Sequence, residues 1–223
     1  MNKNRHILIT LLGAIMGGVI FLLLYGIDTL NFTNDIWLLA GERDQRAHYI
    51  GWEFFRNSQW HWPWGMMDGI TEPEKLSIIY TDSIPWVAII FKLFRNVLPD
   101  TFQYFGLWGL LCFSLQGAVA GYIVNKYIKN MFSLISVVLL FALSPAMIFR
   151  LYYHSELSAH FLLLLGFIPW VEQDKMKSTK SRALYWSVLF ILASGIHIYF
   201  LPMLAILMFA TSLFFLLQNK RWL

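Results

Sequence analysis

The chain has 223 residues, of which 58% are hydrophobic, 17% aromatic and only 13% charged. This composition is too apolar for an ordinary soluble domain and predicts an all-α, polytopic helical membrane protein. The formal net charge of +4 is carried by short basic segments between apolar runs, a distribution that excludes an extended nucleic-acid surface.

Five apolar runs predict six membrane crossings, each of which takes roughly 20 residues. The first, Ile7–Tyr25, predicts an uncleaved anchor, because its apolar stretch exceeds a signal core and no small-residue cleavage pattern follows. The last run, 183–217, has 35 residues without a charge. It would form about 52 Å of helix, which is too long for one crossing, so we predict that it divides at Gly195 and Pro202. The predicted crossings after the first are 102–124, 131–149, 153–171, 183–199 and 202–217.

A polar, aromatic segment, 26–101, separates the first two crossings, and we expect helices lying in the membrane interface within it. Apolar residues recur at helical spacing over Arg43–Asn57. A second helix is predicted over 84–98, which contains Lys92 and Arg95. A charge near the bilayer centre costs about 2.5–3.5 kcal/mol on insertion scales. We therefore expect this helix to lie in the outer interface, with both cations reaching water.

The distribution of basic residues predicts the orientation. Segment 28–83 contains four basic and nine acidic residues, whereas the short loops near Lys126 and 175–182 are basic. The positive-inside rule therefore puts those short loops and both termini in the cytoplasm, and 26–101 outside. The segment 150–158 and the turn near His197 then also emerge outside, so one outward-facing polar cluster is predicted.

Asp44, His48 and Asp82 are the candidate catalytic residues. A carboxylate one helical turn from an imidazole can accept a proton from a hydroxyl group or hold a divalent metal. The alternative is an ordinary interfacial helix with one polar face. Asp82 either turns towards Asp44 or caps the following helix. His197 lies between two apolar half-helices and is either a site residue or a buried histidine with satisfied hydrogen bonds.

The candidate substrate-binding residues are of three kinds. Glu156 and His160 repeat the four-residue spacing and are either proton partners or metal ligands, or a hydrogen-bonded pair that joins helices. Tryptophans can stack on a sugar or a polyprenyl chain, or anchor the chain at the interface. Arginines can neutralise a phosphate, as any basic residue near a headgroup can. No spacing matches a zinc signature such as HExxH, so the metal ligands stay unassigned. The residues are Trp52, Arg56, Trp60, Trp62, Arg150, His154, Glu156, His160 and His197.

The order of these features resembles the GT-C superfamily of polytopic membrane glycosyltransferases, which includes protein mannosyltransferases and aminoarabinose transferases. Asp44 in RDQRAHYIGWEFF matches the acidic position that opens the first outer helix. Trp60–Pro63 matches a W-x-x-P stretch, and DSIPWVAIIFKLF matches a proline-led interfacial helix. More closely, GWEFFR, YTDSIPW, HSELSAHF and GIHIYF are similar to an uncharacterised bacterial membrane-protein family of this architecture.

The resemblance implies a bacterial inner-membrane transferase that takes a sugar from a polyprenyl-phosphate donor at the outer face. Asp44 would be the general base or the carboxylate that orients the acceptor. Gln45 stands where many relatives have a second acid, and Thr81-Asp82-Ser83 replaces a lysine that often precedes the proline pair. These departures change positions that would help to bind a divalent cation, which is the only candidate cofactor, or would contact the donor phosphate.

Two other functional classes stay open alongside the transferase. One is a component of a transporter or flippase, and the other is a non-catalytic membrane protein. Such transferases are usually longer than 223 residues, so we expect a truncated or minimal version of the architecture. The sequence contains no P-loop or dinucleotide-binding motif, as a lipid-linked donor would require none.

Overall fold

The computed structural model describes residues 3–40, 44–71 and 73–220. Within this part of the chain, four helical stretches are long and apolar enough to cross a membrane. They are Asn4–Tyr25, Phe105–Val124, Met131–Tyr153 and Phe200–Gln218. The chain is therefore a helical membrane protein. The count of six crossings stays a prediction.

The helices follow one another with short connections. In chain order they are α1 Lys3–Tyr25, α2 Ile36–Leu39, α3 Asp44–Asn57, α4 Pro85–Leu93, α5 Phe105–Val124, α6 Met131–Ala142, α7 Pro145–Tyr153, α8 Phe161–Gly166, α9 Ile168–Val171, α10 Thr179–Ser194 and α11 Phe200–Lys220. Short 3₁₀ helices cover Ile27–Leu30, Ile78–Thr81 and Ser155–Ser158. An antiparallel ribbon of β1 Met66–Thr71 and β2 Glu74–Ser77 lies between α3 and α4.

Helices α1 and α5 pack with their backbones in contact. A Cβ atom on Gly13 would lie 2.2 Å from the Gly117 carbonyl oxygen, and one on Gly117 would lie 2.1 Å from the Gly13 carbonyl oxygen. A Cβ on Gly17 would lie 2.0 Å from the Phe113 carbonyl oxygen. Small residues spaced four apart allow this close approach in membranes, where helix association depends on packing. The backbones of α1 and α5 are therefore packed directly against each other.

An aromatic core fixes the 26–101 segment to the start of α5. The Trp52 indole donates a hydrogen bond to the Phe102 carbonyl at 2.9 Å. Its ring meets Tyr104 edge-on, and Phe91 of α4 stacks on the Tyr104 ring. The Tyr104 hydroxyl donates to the Ser83 carbonyl. Buried indole and phenol groups with satisfied hydrogen bonds hold α3 and α4 in a fixed position over the bundle.

The other end of the bundle, which we call the basic end, is held by ion pairs around Glu172. The Tyr122 hydroxyl donates to this carboxylate at 2.6 Å, and Lys126 and Lys175 each lie 3.0 Å from it. Burial alone would raise the pKa of Glu172, but these donors and charges outweigh it and lower the pKa to about 2. A lysine pair is thereby anchored at the end of α5.

The structure differs from the sequence prediction in α4 and its lysine. The helix has nine residues, about 13 Å, which is shorter than a crossing and ends before residue 98. The prediction that Lys92 reaches water is wrong, because the side chain is 1% exposed. Its ammonium donates to Ser58 Oγ and the Gln59 carbonyl, and lies 4.0 Å over the Phe55 ring. The loop after α3 supplies these partners in place of solvent.

The predicted helix over 153–171 is interrupted. Helix α7 continues to Tyr153, and the 3₁₀ turn at Ser155–Ser158 separates it from the short α8 and α9. The break at Gly195 occurs as predicted, whereas Pro202 lies in the first turn of α11, where a proline costs no intrahelical hydrogen bond. The sequence analysis also missed the β1–β2 ribbon. Arg43, the predicted start of α3, lies outside the described residues.

Replacing Gly17 by alanine is expected to lower the melting temperature of the detergent-solubilised protein. The added Cβ would overlap the Phe113 carbonyl oxygen and force α1 away from α5, and such overpacking costs about 1–3 kcal/mol. Gly18→Ala is the matched control, since its Cβ would meet the rotatable Ser114 hydroxyl at 3.1 Å. Equal melting temperatures for the two variants would contradict the backbone contact.

Candidate functional site

Polar side chains from four separate segments meet at the end of the bundle opposite the basic end. Asp44 and His48 lie on α3, and Asp82 follows the 3₁₀ helix that ends at Thr81. The third segment is the connection after α7, and the fourth is the turn between α10 and α11. We call this group the carboxylate–histidine cluster: Asp44, His48, Asp82, His154, Glu156 and His197.

Glu156 lies at the centre of the cluster and is fully buried. Its Oε2 is 3.4 Å from His48 Nε2, and its Oε1 is 3.8 Å from His154 Nδ1. Neither carboxylate oxygen has a hydrogen-bond partner among the described residues. Burial raises the pKa of Glu156 to about 9, because desolvation disfavours the charged form. The Trp108 indole holds the backbone beside it by donating to the Ser155 carbonyl at 2.8 Å.

The position of His48 is fixed by two chain segments. Its Nδ1 lies 2.8 Å from the Thr81 carbonyl and its Nε2 lies 3.3 Å from the Tyr153 carbonyl. Burial lowers the pKa of His48, although the nearby carbonyl groups oppose that shift. A Cβ on Gly51 would lie 2.3 Å from Thr81 Oγ1. Glycine at 51 therefore allows the Thr81 turn to pack against α3 and meet His48.

Asp82 pairs with His197 at 3.2 Å between Oδ1 and Nε2. Burial alone would raise the pKa of Asp82, but the hydrogen bond from His197 and the neighbouring histidines lower it overall. Of the two alternatives left open for Asp82, the capping of the next helix is wrong. Ile84 occupies the position before α4, and Asp82 and Ile84 have positive φ values of 51° and 52°. Such left-handed residues are held in place by their surroundings and concentrate at functional sites.

Comparison with known proteins places the chain in a family. Residues 14–223 match a family model described as a domain of unknown function, DUF6311. The chain belongs to the DUF6311 family. No curated protein and no solved structure matches it. The matched region contains every residue of the carboxylate–histidine cluster.

Two predicted side-chain pairs in this DUF6311 protein are wrong. Asp44 pairs with His154, at 3.5 Å between Oδ2 and Nε2, rather than with His48 one turn along α3. Glu156 faces His48 and His154, whereas His160 lines a separate cavity with Gln116. The four-residue spacing fails at 156–160 because Glu156 lies in a 3₁₀ turn, where residues four apart do not share a face.

Two predicted substrate-binding residues have structural roles. Trp52 is fully buried in the aromatic core described above. The Arg56 guanidinium is also buried, and it donates to the Asp100 carbonyl at 2.8 Å and the Pro99 carbonyl at 2.6 Å. A guanidinium with these acceptors is not free to bind a phosphate. Arg150, by contrast, is exposed in the last turn of α7, and its charge acts on Glu156.

Trp60 and Trp62 line a cavity of about 540 Å³ with Trp64, Ile89, Leu93 and His61. Trp62 is 82% exposed, so its ring is open to a ligand. His61 in this wall also belongs to a hydrogen-bonded chain that the sequence did not indicate. Lys75 Nζ donates to His61 Nδ1 at 2.8 Å, and His61 Nε2 lies 2.6 Å from Asp68 Oδ2. The ribbon brings these residues together, and no spacing in the sequence predicts it.

The neutral forms of His48 and His197 are expected to carry the ring proton on opposite nitrogens. The shorter contact to a carbonyl puts the His48 proton on Nδ1. His197 Nδ1 accepts from the Tyr199 backbone N–H at 3.1 Å, which leaves its proton on Nε2. Nitrogen NMR of chelator-treated protein, assigned with His48→Gln and His197→Gln, measures both tautomers. The same tautomer at both positions, or a doubly protonated His48, would contradict this geometry.

Proposed function

We propose that this DUF6311 protein is a GT-C-like glycosyltransferase that uses a polyprenyl-phosphate sugar donor at the outer face of the bacterial inner membrane. The observation that carries the proposal is the environment of Asp44. Its carboxylate is 54% exposed and lies 3.5 Å from His154, which in turn faces buried Glu156. An exposed carboxylate oriented by an imidazole suits a general base that must reach an external acceptor.

In the proposed reaction, Asp44 accepts the proton of an acceptor hydroxyl group. The hydroxyl oxygen then forms a bond to the anomeric carbon of the sugar, and the bond from that carbon to the polyprenyl phosphate breaks. The phosphate leaves as a stable anion, so no acid is needed on the leaving-group side. Asp44 therefore has one task, which agrees with the absence of a second acid at Gln45.

Two further features of the chain agree with a lipid-linked donor. The cavity lined by Trp60 and Trp62 presents flat indole faces, on which a sugar ring or a polyprenyl chain can stack. Arg150 is an exposed cation close enough to Glu156 to act on its charge, and a guanidinium is well suited to bind a phosphate. We assign the aromatic cavity to the donor and Arg150 to its phosphate.

The proposed topology has six crossings, with α8–α9 and α10 added to the four long helices. Segment α8–α9 begins near the cluster, and Glu172 at its end contacts Lys126. Helix α10 begins near Arg182, which lies over the Phe215 ring, and ends where the Gly195 carbonyl accepts from the Trp86 N–H. Both segments thus connect the two ends of the bundle. The lysines of the basic end put that end in the cytoplasm and the cluster outside.

The arrangement of charged groups counts against a transporter or flippase component. Such proteins hold polar groups near the middle of the membrane, where broken helices meet. Here the buried charged and histidine side chains of the described residues occupy the two ends of the bundle, as Glu156 and Glu172 illustrate. The Asp44→Asn variant described below distinguishes a catalytic from a non-catalytic role.

Asp44→Asn is expected to abolish sugar transfer while leaving expression and membrane insertion unchanged. Loss of a general base lowers rates by about 10²–10⁴-fold, and asparagine preserves the shape of the side chain. Mass spectrometry of cell-envelope glycans should match the gene deletion for Asp44→Asn. Asp28→Asn is the control, since it makes the same charge change at an exposed position on the same outer segment. Normal glycans with Asp44→Asn would remove Asp44 from the mechanism.

Cysteine labelling tests the orientation. Cys112 is buried and is replaced by alanine, and single cysteines are then introduced as Glu74→Cys and Ser178→Cys, both at exposed positions. A membrane-impermeant maleimide should label position 74 in intact spheroplasts and position 178 only after permeabilisation. Labelling of both positions in intact spheroplasts, or of position 178 alone, would overturn the orientation.

A further inference from the structure

We infer that His48, His154 and Glu156 form a binding site for one divalent transition-metal ion of the zinc class. One ligand atom from each of these residues lies within 4.8 Å of the other two. The inference concerns metal binding alone and does not depend on sugar transfer. It rests on spacing, on the tautomers of the two imidazoles and on the unsatisfied carboxylate.

The spacing of the ligand atoms fits a small ion. Ligands at about 2.0–2.2 Å from a tetrahedral zinc ion are separated from one another by roughly 3.4 Å. The His48 Nε2 to Glu156 Oε2 distance is 3.4 Å, and the His154 Nδ1 to Glu156 Oε1 distance is 3.8 Å. Small side-chain rotations therefore bring all three ligands into range of one ion.

The groups that face each histidine favour a lone pair on the ring nitrogen nearest Glu156. His48 Nδ1 lies 2.8 Å from the Thr81 carbonyl and Nε2 lies 3.3 Å from the Tyr153 carbonyl, and both carbonyls can only accept. The shorter contact favours the single ring proton on Nδ1, which leaves the lone pair on Nε2. His154 Nε2 faces the Asp44 carboxylate at 3.5 Å, which leaves Nδ1 with the lone pair. Metal-binding histidines are oriented in this way, with the second ring nitrogen donating to a carbonyl or carboxylate.

Glu156 supplies the second, independent observation. Its carboxyl group is fully buried, and neither oxygen has a hydrogen-bond partner among the described residues. A buried polar group without a partner costs about 1–3 kcal/mol, and more if it is charged. The imidazole nitrogens of His48 and His154 lie 3.4 Å and 3.8 Å from this carboxyl group, and the Tyr153 carbonyl lies 3.3 Å from His48 Nε2. A cation satisfies all of these electron-rich atoms together.

A second group, Asp82, Glu156 and His197, has similar spacing but a different proton arrangement. His197 Nδ1 accepts from the Tyr199 N–H, so the neutral ring carries its proton on Nε2 and donates it to Asp82. A protonated nitrogen cannot bind a metal. Asp82 and His197 therefore form a hydrogen-bonded pair beside the proposed site and are not its ligands.

The donor set favours zinc over magnesium or calcium. Two imidazoles and one carboxylate are the ligands of catalytic zinc sites, in which the fourth position is left for water or substrate. Magnesium and calcium prefer oxygen ligands. The side chains of Asp44 and His154 are 54% and 33% exposed, so an ion can reach the site from their side.

The test uses the full chain in detergent, stripped with a chelator and dialysed against zinc, with bound metal measured by mass spectrometry. One zinc per chain is expected for the unmodified protein, and excess magnesium should not displace it. Glu156→Gln and His154→Gln should each lose the bound zinc, while Asp44→Asn, which removes only the support of His154, should weaken zinc binding about 10–100-fold. Binding of cobalt should give the visible absorption of a four- or five-coordinate site.

Two controls separate this site from other sources of binding. His61→Gln removes a histidine of the tryptophan-lined cavity, and His197→Gln removes the ligand specific to the second group. Both variants should keep one zinc per chain, and thermal unfolding identifies any variant that has not folded. No zinc on the unmodified protein, normal binding by Glu156→Gln, or loss of zinc in His61→Gln or His197→Gln would overturn the inference. Zinc binding without sugar transfer would contradict the proposed function alone.

Discussion

A buried carboxyl group that lacks hydrogen-bond donors is the constraint around which one end of this protein is organised. Glu156 is fully buried, and its carboxylate oxygens lie 3.4 Å from a nitrogen of His48 and 3.8 Å from a nitrogen of His154. Burying a carboxyl group without hydrogen-bond partners costs free energy, and most protein cores have apolar residues at such positions. The surrounding tautomers provide a consistent reason for keeping it: they direct lone pairs, rather than protons, towards the carboxylate.

The rest of the fold holds those atoms at fixed positions. The backbone contact of α1 with α5 holds these two helices together. The Trp108 indole at the start of α5 fixes the Ser155–Ser158 turn. On the opposite wall, the Ser83 hydroxyl donates to the His48 carbonyl at 2.6 Å. Each restraint is a short contact between segments far apart in sequence, so the site depends on the whole described membrane domain rather than on one motif. Lys92 is restrained in the same way, since its ammonium donates to the loop after α3 instead of to water.

Apolar runs and helical periodicity were sufficient to predict a helical membrane protein, the helix that carries Asp44 and His48, and the break at Gly195. Contacts between segments were not predictable from spacing. Asp44 was expected to meet His48 but meets His154, since the partner comes from a turn about 110 residues later in the chain. In the sequence, Trp52 and Arg56 resemble ligand-binding residues. In the structure, both side chains donate hydrogen bonds to backbone carbonyls. The tautomer of a histidine depends on its neighbours in space, so a sequence pattern cannot predict it.

An electron cryo-microscopy map of the zinc-loaded protein in complex with an antibody fragment tests the arrangement around Glu156 most directly. It should resolve the carboxylate between His48 and His154, with one density feature about 2 Å from each of the three side chains, and Asp82 paired with His197 beside it. A Glu156 side chain directed towards lipid or towards the basic end, with His48 and His154 separated, would contradict the account.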